Sequence, residues 1–585
     1  MKIKLKIISV IILNSLAFSG TTGKLVGKII DKDTGDPLIG CNVILEDTYM
    51  GTSSNELGEY ILLNISPGNY NIRFEMIGYK RVINEGVIII SDKTITLNGG
   101  LVGSVIEGEE VVVLAEKKLI QFDVTQSEAI ISSEELDGMP VTEVEEVLRL
   151  QGGVTVDSDG GIHMRGGRTS EVSYMVDGVP MSDVYSGGIG VQIENDNIQE
   201  LQVISGTFNA EYGRALTGVV NMVTKDGGNK FEGTIHTYAG DYQSGDNIYN
   251  NLEKFDIQDD YSFSANLSGP IIKDKVTFYS SGRVNQSNGW LNGLQTFTIY
   301  GDTIFNDLND NLYLDGVETQ KEPYFRGLNW YDSWSSQNKI TFNLFKNTIF
   351  KLNTIINSRK SQDYNHFLQF LENAQITNYN DGKFFGFNLT HSLSATSFFE
   401  AKISENTFNY ESYLFEEPLD RRYITPDSLF VARQENRIPE HIIEQYGDQV
   451  QYYPAYSLYR AGVDNRRFKR ETKTRNVKLD YTSQVNRYNQ IKIGLDFSEH
   501  SLMLDNYSIL DSTLTDQVYT PIIPEKGSFT RTSYNFKPTE FAIYAQDKIE
   551  YKDMIINFGL RYESFDPKAK IPNNIHEPYI NDPRN

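Results

Sequence analysis

The chain has 585 residues and a formal net charge of −24 at neutral pH, too long for one compact core and too acidic to meet nucleic-acid phosphates. Hydrophobic residues make up 39% and aromatics 12%, a pairing unusual in a soluble enzyme and natural where rings girdle a membrane-facing band. Only 11 Phe, Tyr and Trp precede residue 229 while 58 follow it, so a domain boundary is expected there. The single cysteine, Cys41, excludes an intrachain disulfide, and its apolar setting between Ile39 and Leu45 marks a buried, inert thiol.

In chain order, Lys2, Lys4 and Lys6 precede an apolar run from Ile7 to Phe18, with small residues at Ala17 and Ser19. This has the layout of a secretory signal peptide over residues 1–19. No later stretch approaches the roughly twenty apolar residues of a spanning helix, so any membrane crossing must be made by strands. Residues 24–98 alternate short β-rich runs (Leu25–Ile30, Leu38–Leu45, Gly58–Ile61, Ile72–Met76, Val87–Ile90) with turn signals such as Asp33-Thr-Gly-Asp-Pro37. That spacing predicts a small antiparallel β-sandwich.

A connector over 99–118 contains Glu110, Val111, Val112, Val113, Leu114 and Ala115. As an unpaired, β-branched run beside a Gly/Glu-rich segment it suits β-augmentation of a partner's sheet edge, although it also reads as the first strand of the next domain.

Residues 119–226 predict an α+β domain. Thr142-Glu-Val-Glu145 has capping-box spacing, Val144, Val147 and Leu148 share a helix face, and Gly152-Gly153 can end the helix. The run Val172–Pro180 reads as a short strand closed by Asp177-Gly178, a pair that tolerates positive φ. Two further strands, around Ile198–Val203 and Val219–Val223, flank a Gly-punctuated loop. Charged residues here (Arg165, Arg168, Glu200, Glu211, Arg214) read either as solvated surface or as ion pairs to an enclosing wall. Arg165 and Arg214, with glycines beside them, are the strongest candidates for the second role.

From residue 230 to 585 the pattern becomes segments of about ten residues with period two. Ile340, Phe342 and Leu344 alternate up to Lys346-Asn347, then Phe350, Leu352, Thr354 and Ile356 return; Val477–Val485 with Ile491–Phe497, and Phe541–Ile549 with Met554–Tyr562, repeat the design. Tight turns at one end and long polar connections at the other, such as Glu411–Arg470, predict an antiparallel transmembrane β-barrel. The reading gives about 11 strands, an odd number and about half of a 22-stranded plugged barrel. Together with the polar end Asn581–Asn585, this is the expectation for a chain interrupted within its barrel.

The ordered set His163-Met-Arg-Gly-Gly167, Met175–Pro180, Glu211-Tyr-Gly-Arg214 and Gly218–Lys225 resembles the plug domain of TonB-dependent outer-membrane receptors. Gly27, Asp33-Thr-Gly35, Gly58-Glu-Tyr60, Pro67-Gly68 and Gly78-Tyr79 resemble the carboxypeptidase regulatory-like domain often placed before them. The fold expected is therefore mainly β: N-terminal sandwich, plug, incomplete barrel. The resemblance implies that 110–115 is the TonB box, and that Arg165, Gly166, Asp177, Gly178, Glu200, Glu211, Tyr212, Gly213 and Arg214 belong to the plug motif. It implies an outer-membrane location with periplasmic N-terminal domain and extracellular loops. The partners implied are a TonB-type energy-transducing protein, membrane lipid, an extracellular ligand and a surface lipoprotein. No cofactor is expected.

His441 and Glu444 form an H-x-x-E, with His576 as a third conceivable zinc ligand. Their Pro-, Gln- and Tyr-rich setting is that of an outer loop, so neither a metal site nor catalysis is assigned. The other functional class in view is a surface binding or adhesion protein that uses the barrel to display loops.

Overall fold

The computed structural model describes residues 22–104, 127–299, 324–423, 462–511 and 521–569 apart from isolated positions, with short segments at 110–114, 313–314, 317–318 and 458–459. The leader-like segment 1–19, Ala115, His441, Glu444 and His576 lie outside the described residues.

The N-terminal unit is two facing sheets. One carries Glu59–Ile65, Gly23–Asp31 and Thr94–Thr96, with Gly99–Leu101 also on Gly23–Asp31; the other runs Gly51–Ser53, Asn42–Leu45, Gly68–Glu75, Arg81–Ile89, Glu110–Leu114. Alternation places Leu25, Ile29, Val43, Leu45, Ile72, Phe74 and Cys41 inside, all fully buried. The sandwich does not stop at residue 98. Gly99–Leu101 and Glu110–Leu114, expected in an unpaired connector, both pair with its strands, the latter in parallel with Arg81–Glu85.

The middle unit has the sheet order Glu128–Ser132, Ile198–Ile204, Gly218–Thr224, Val172–Val176, Val179–Pro180. Its helix Val144–Arg149 buries Val144, Val147 and Leu148 as their spacing predicts, but the capping box is supplied by Glu143 and Glu146. The chain turns at Leu150 in the right-handed region, short of the glycine pair. Asp177 and Gly178 both take positive φ (48° and 76°), the geometry of a two-residue hairpin turn. Ile355 and Phe384, from the large sheet, complete the core of this unit.

Among the described residues the large sheet has 12 strands, eleven of them in simple sequence order from Glu232–Gly240 to Met554–Asp566. The extra one, Arg531–Phe536, pairs Leu502 with Phe536, and Thr539–Tyr551 continues from Glu499 opposite Thr539 without a slip in register. Pro538, which has no N–H, divides what is otherwise one strand. Successive strands are joined at one end by four residues or fewer and at the other by 15 to 52. Side-chain alternation is that of a membrane wall. Ser335, Gln337, Lys339 and Thr341 point to the middle unit and are buried, while Trp334 and Leu344 on the opposite face are 46% and 52% exposed. The same apolar outer face recurs at Phe263, Leu352, Phe385, Phe497, Phe541 and Ile543. No helix among the described residues is long and apolar enough to cross a membrane.

Candidate functional site

Acidic side chains of the middle unit meet cations carried on inward positions of the wall. Asp177 is held within its own unit by the Thr224 N–H (2.9 Å) and hydroxyl (2.8 Å). From the wall it accepts Asn353 at 3.0 Å and lies 3.3 Å from Lys339. Lys339, itself only 3% exposed, also reaches Asp226 at 3.0 Å and donates to the Thr224 carbonyl at 2.9 Å. Asp226 takes a second cation, Lys351, at 2.5 Å. The carbonyls of the Asp177-Gly178 turn accept Lys402 (2.9 Å) and Lys478 (3.5 Å). One hairpin turn is thus ringed by wall lysines.

The pattern continues around the unit. Arg283 bridges Glu194 and, at 2.7 Å, Asp196. Asp183 receives Arg470 at 3.0 Å and the Thr472 hydroxyl at 2.9 Å, and the Arg470 guanidinium also lies over the rings of Tyr185 and Phe408. Glu211 pairs with Lys492 at 2.5 Å and its backbone N–H donates to Gln546. A buried carboxylate next to a buried ammonium is tolerable only because each satisfies the other. Apart from Ile355 and Phe384, which join the unit's apolar core, the contacts described are polar and directional, so they can exchange for water when the two surfaces move apart.

The sequence-nominated residues fall into three groups. Asp177, Gly178, Glu211 and Arg214 touch the wall: Arg214 pairs with Glu540 and lies 3.0 Å from His500. Gly213 belongs with them, since a Cβ there would overlap the Arg561 and Glu563 side chains. Glu200 and Tyr212 face the N-terminal unit, Glu200 accepting the Ser91 N–H and Tyr212 donating to Asp92. Arg165 and Gly166 (φ 48° and 76°) turn the chain at the surface. Arg165 is exposed, lays its guanidinium against Gly206 and makes no ion pair among the described residues. Glu110–Leu114 lie on the N-terminal sheet, paired with Arg81–Glu85.

Burial raises the Glu200 carboxyl to about 7, with Asp92 nearby adding to the shift and bonds from Gln202 and Ser91 opposing it. Sequence reading missed the wall cations Arg283, Lys339, Lys351, Lys402, Arg470 and Lys492. The available signal was a Lys or Arg falling in the polar phase of strands whose other phase is apolar.

Comparison with known proteins fits this geometry. Residues 25–113 match the CarboxypepD_reg-like domain and residues 121–220 the TonB-dependent Receptor Plug Domain. The chain is 24% identical over 297 residues to the TonB-dependent transporter Oar of Myxococcus xanthus, covering 46% of this chain and 27% of that protein. The outer membrane transporter YddB from Escherichia coli superposes with a TM-score of 0.52 at 14% identity, over 75% of this chain and 56% of its own. The ferric citrate transporter FecA in its unliganded form gives 0.50 at 13%, over 76% and 57%. The chain therefore spans about a quarter of the curated relative and little more than half of either structure. It carries a CarboxypepD_reg-like domain, a TonB-dependent receptor plug and a wall of the receptor-barrel fold. Plug and barrel proteins of this kind are not enzymes.

Proposed function

We propose that this chain belongs to an outer-membrane receptor that binds an extracellular ligand and imports it when an energy-transducing partner remodels the plug. The observation that carries the reading is the charge-complementary contact between plug acids and wall cations, inside a sheet whose other face is apolar. Such a contact blocks the lumen yet exchanges readily for water when the plug is displaced. An outer membrane has no ATP, so the work must arrive mechanically from the periplasmic side, where the N-terminal unit and the short turns are assigned. Glu110–Leu114 is the proposed handle, offered to the partner as an added strand. Deleting Glu109–Glu116 tests this. Binding of ferric chelates and oligosaccharides to intact cells should survive, and accumulation of the bound compound should fall to background. Unchanged accumulation would favour a barrel that only displays its loops.

A further inference from the structure

One strand of the N-terminal unit touches both ends of the proposed machinery. Along its first half, Arg81–Glu85, the strand Arg81–Ile89 holds Glu110–Leu114 in parallel register. Just beyond its end comes the turn Ser91–Thr94, each residue of which contacts the plug or the wall, and Asp92 both. The Ser91 N–H donates to Glu200 at 3.4 Å. Asp92 accepts the Tyr212 hydroxyl at 3.3 Å, its carbonyl accepts Lys548 at 3.2 Å, and its carboxylate lies 3.8 Å from Lys492. Lys93 pairs with Glu128. Thr94 donates to Glu550 at 2.8 Å, where Lys24 of the neighbouring strand adds an ion pair at 2.5 Å. Glu128 opens the edge strand Glu128–Ser132 of the plug, whose Ser132 sits opposite Glu200 on the next strand. The turn therefore spans the first two strands of the plug and fastens them to the wall. Both members of the Lys93–Glu128 pair are under one-tenth exposed, so breaking the pair weakens the compensation of a desolvated charge.

We propose that the N-terminal unit is a force-bearing latch: the strand that holds the handle ends in the turn that clasps the plug's edge strand, so load on Glu110–Leu114 reaches that strand through the N-terminal unit. The proposal rests on the handle assignment above for its physiological meaning, but the coupling itself is a property of the unloaded chain. Peeling the handle loosens Arg81–Ile89, loosening that strand frees Ser91–Thr94, and the plug opens from Glu128–Ser132 inward. Among the described residues the edge strand has one sheet neighbour, so it is the element whose protection depends most on the clasp.

Hydrogen exchange on the full chain in detergent tests the coupling. Asp92→Asn with Lys93→Gln keeps a residue that tolerates the left-handed conformation of Asp92 (φ 58°). It should speed exchange at 128–132 by about tenfold or more, the scale on which local openings respond to loss of a buried pair. Exchange at Gly68–Glu75, in the N-terminal core, should stay unchanged. Val112→Pro, which disrupts the handle pairing, should speed 128–132 as well. Glu59→Gln with Arg487→Gln, which removes a different contact between the same unit and the wall (3.2 Å), should leave it alone. Unchanged exchange at 128–132 in the first variant removes the latch, unchanged exchange in the second removes the relay, and equal acceleration in the third shows general undocking instead. Uptake measurements bear on the transport reading only, so the two can fail separately.

Discussion

Lys339 shows how much one wall side chain can carry. It is almost fully buried and serves Asp177, Asp226 and the Thr224 carbonyl together. Lys339→Met should cost about 3–5 kcal/mol of plug stability, the range for removing one partner of a buried ionic group. Faster amide exchange across Gly218–Thr224 is the readout. Glu200 gives the opposite case, a carboxyl held up at about 7 by burial. Its folded value exceeds the usual 4.5, so its contribution is intact below pH 4.5 and is lost as pH rises towards 7. The loss amounts to about 3 kcal/mol at most. Glu200→Gln, which mimics the neutral acid, should therefore match the native chain near pH 4.5 and exceed it above pH 7 in urea midpoints for the plug.

At the scale of elements, legibility followed local rules. Strands of the wall, the helix face at Val144, Val147 and Leu148, and the Asp177-Gly178 turn each rest on a period or a backbone preference that a short stretch displays by itself. Gly178→Val should accordingly cost about 1–2 kcal/mol, because a β-branched residue is forced to φ 76°; a lowered urea midpoint with unchanged slope checks it. The handle was less legible. Its β-branched run announces a strand but not a partner, and the partner, Arg81–Glu85, lies well upstream. Thr94–Thr96 and Gly99–Leu101 were missed for a related reason, being three-residue strands without alternation enough to register. Because these segments join the sandwich, residues 22–114 in isolation should melt cooperatively and at a higher temperature than 24–98. Equal melting would mean that the late strands add nothing.

Who meets whom across domains was the least visible layer. Arg165 and Arg214 look alike in sequence, each next to glycine, yet only Arg214 meets the wall, because Arg165 sits on a turn beside Gly206 while Arg214 follows Gly213, where the plug backbone closes on Arg561 and Glu563. A polar wall was expected, but its cations went unnamed because the period-two reading tracked the apolar residues and named ion-pair candidates on the plug side alone. In a barrel the polar set faces inward, and its chemistry is that of whatever fills the lumen.

The whole molecule is governed by the two ends of its sheet. Among the described residues Glu232–Gly240 and Met554–Asp566 each pair on one side only, with Asp260–Ile272 and Thr539–Tyr551. Met554–Asp566 exposes Phe558, Leu560 and Tyr562 at 63% or more, an apolar edge fit for lipid or another strand. Hydrocarbon offers no hydrogen bonds, so each open N–H or C=O there costs several kcal/mol. Over strands of 9 and 13 residues that outweighs the ion pairs and hydrogen bonds between plug and wall. The 585-residue chain alone should therefore give no heat-dependent shift in gel migration, the mark of a closed and detergent-resistant barrel, and should not insert into lipid vesicles. A heat-modifiable band would mean that the two edge strands find each other, and the open wall described here would then be a closed one.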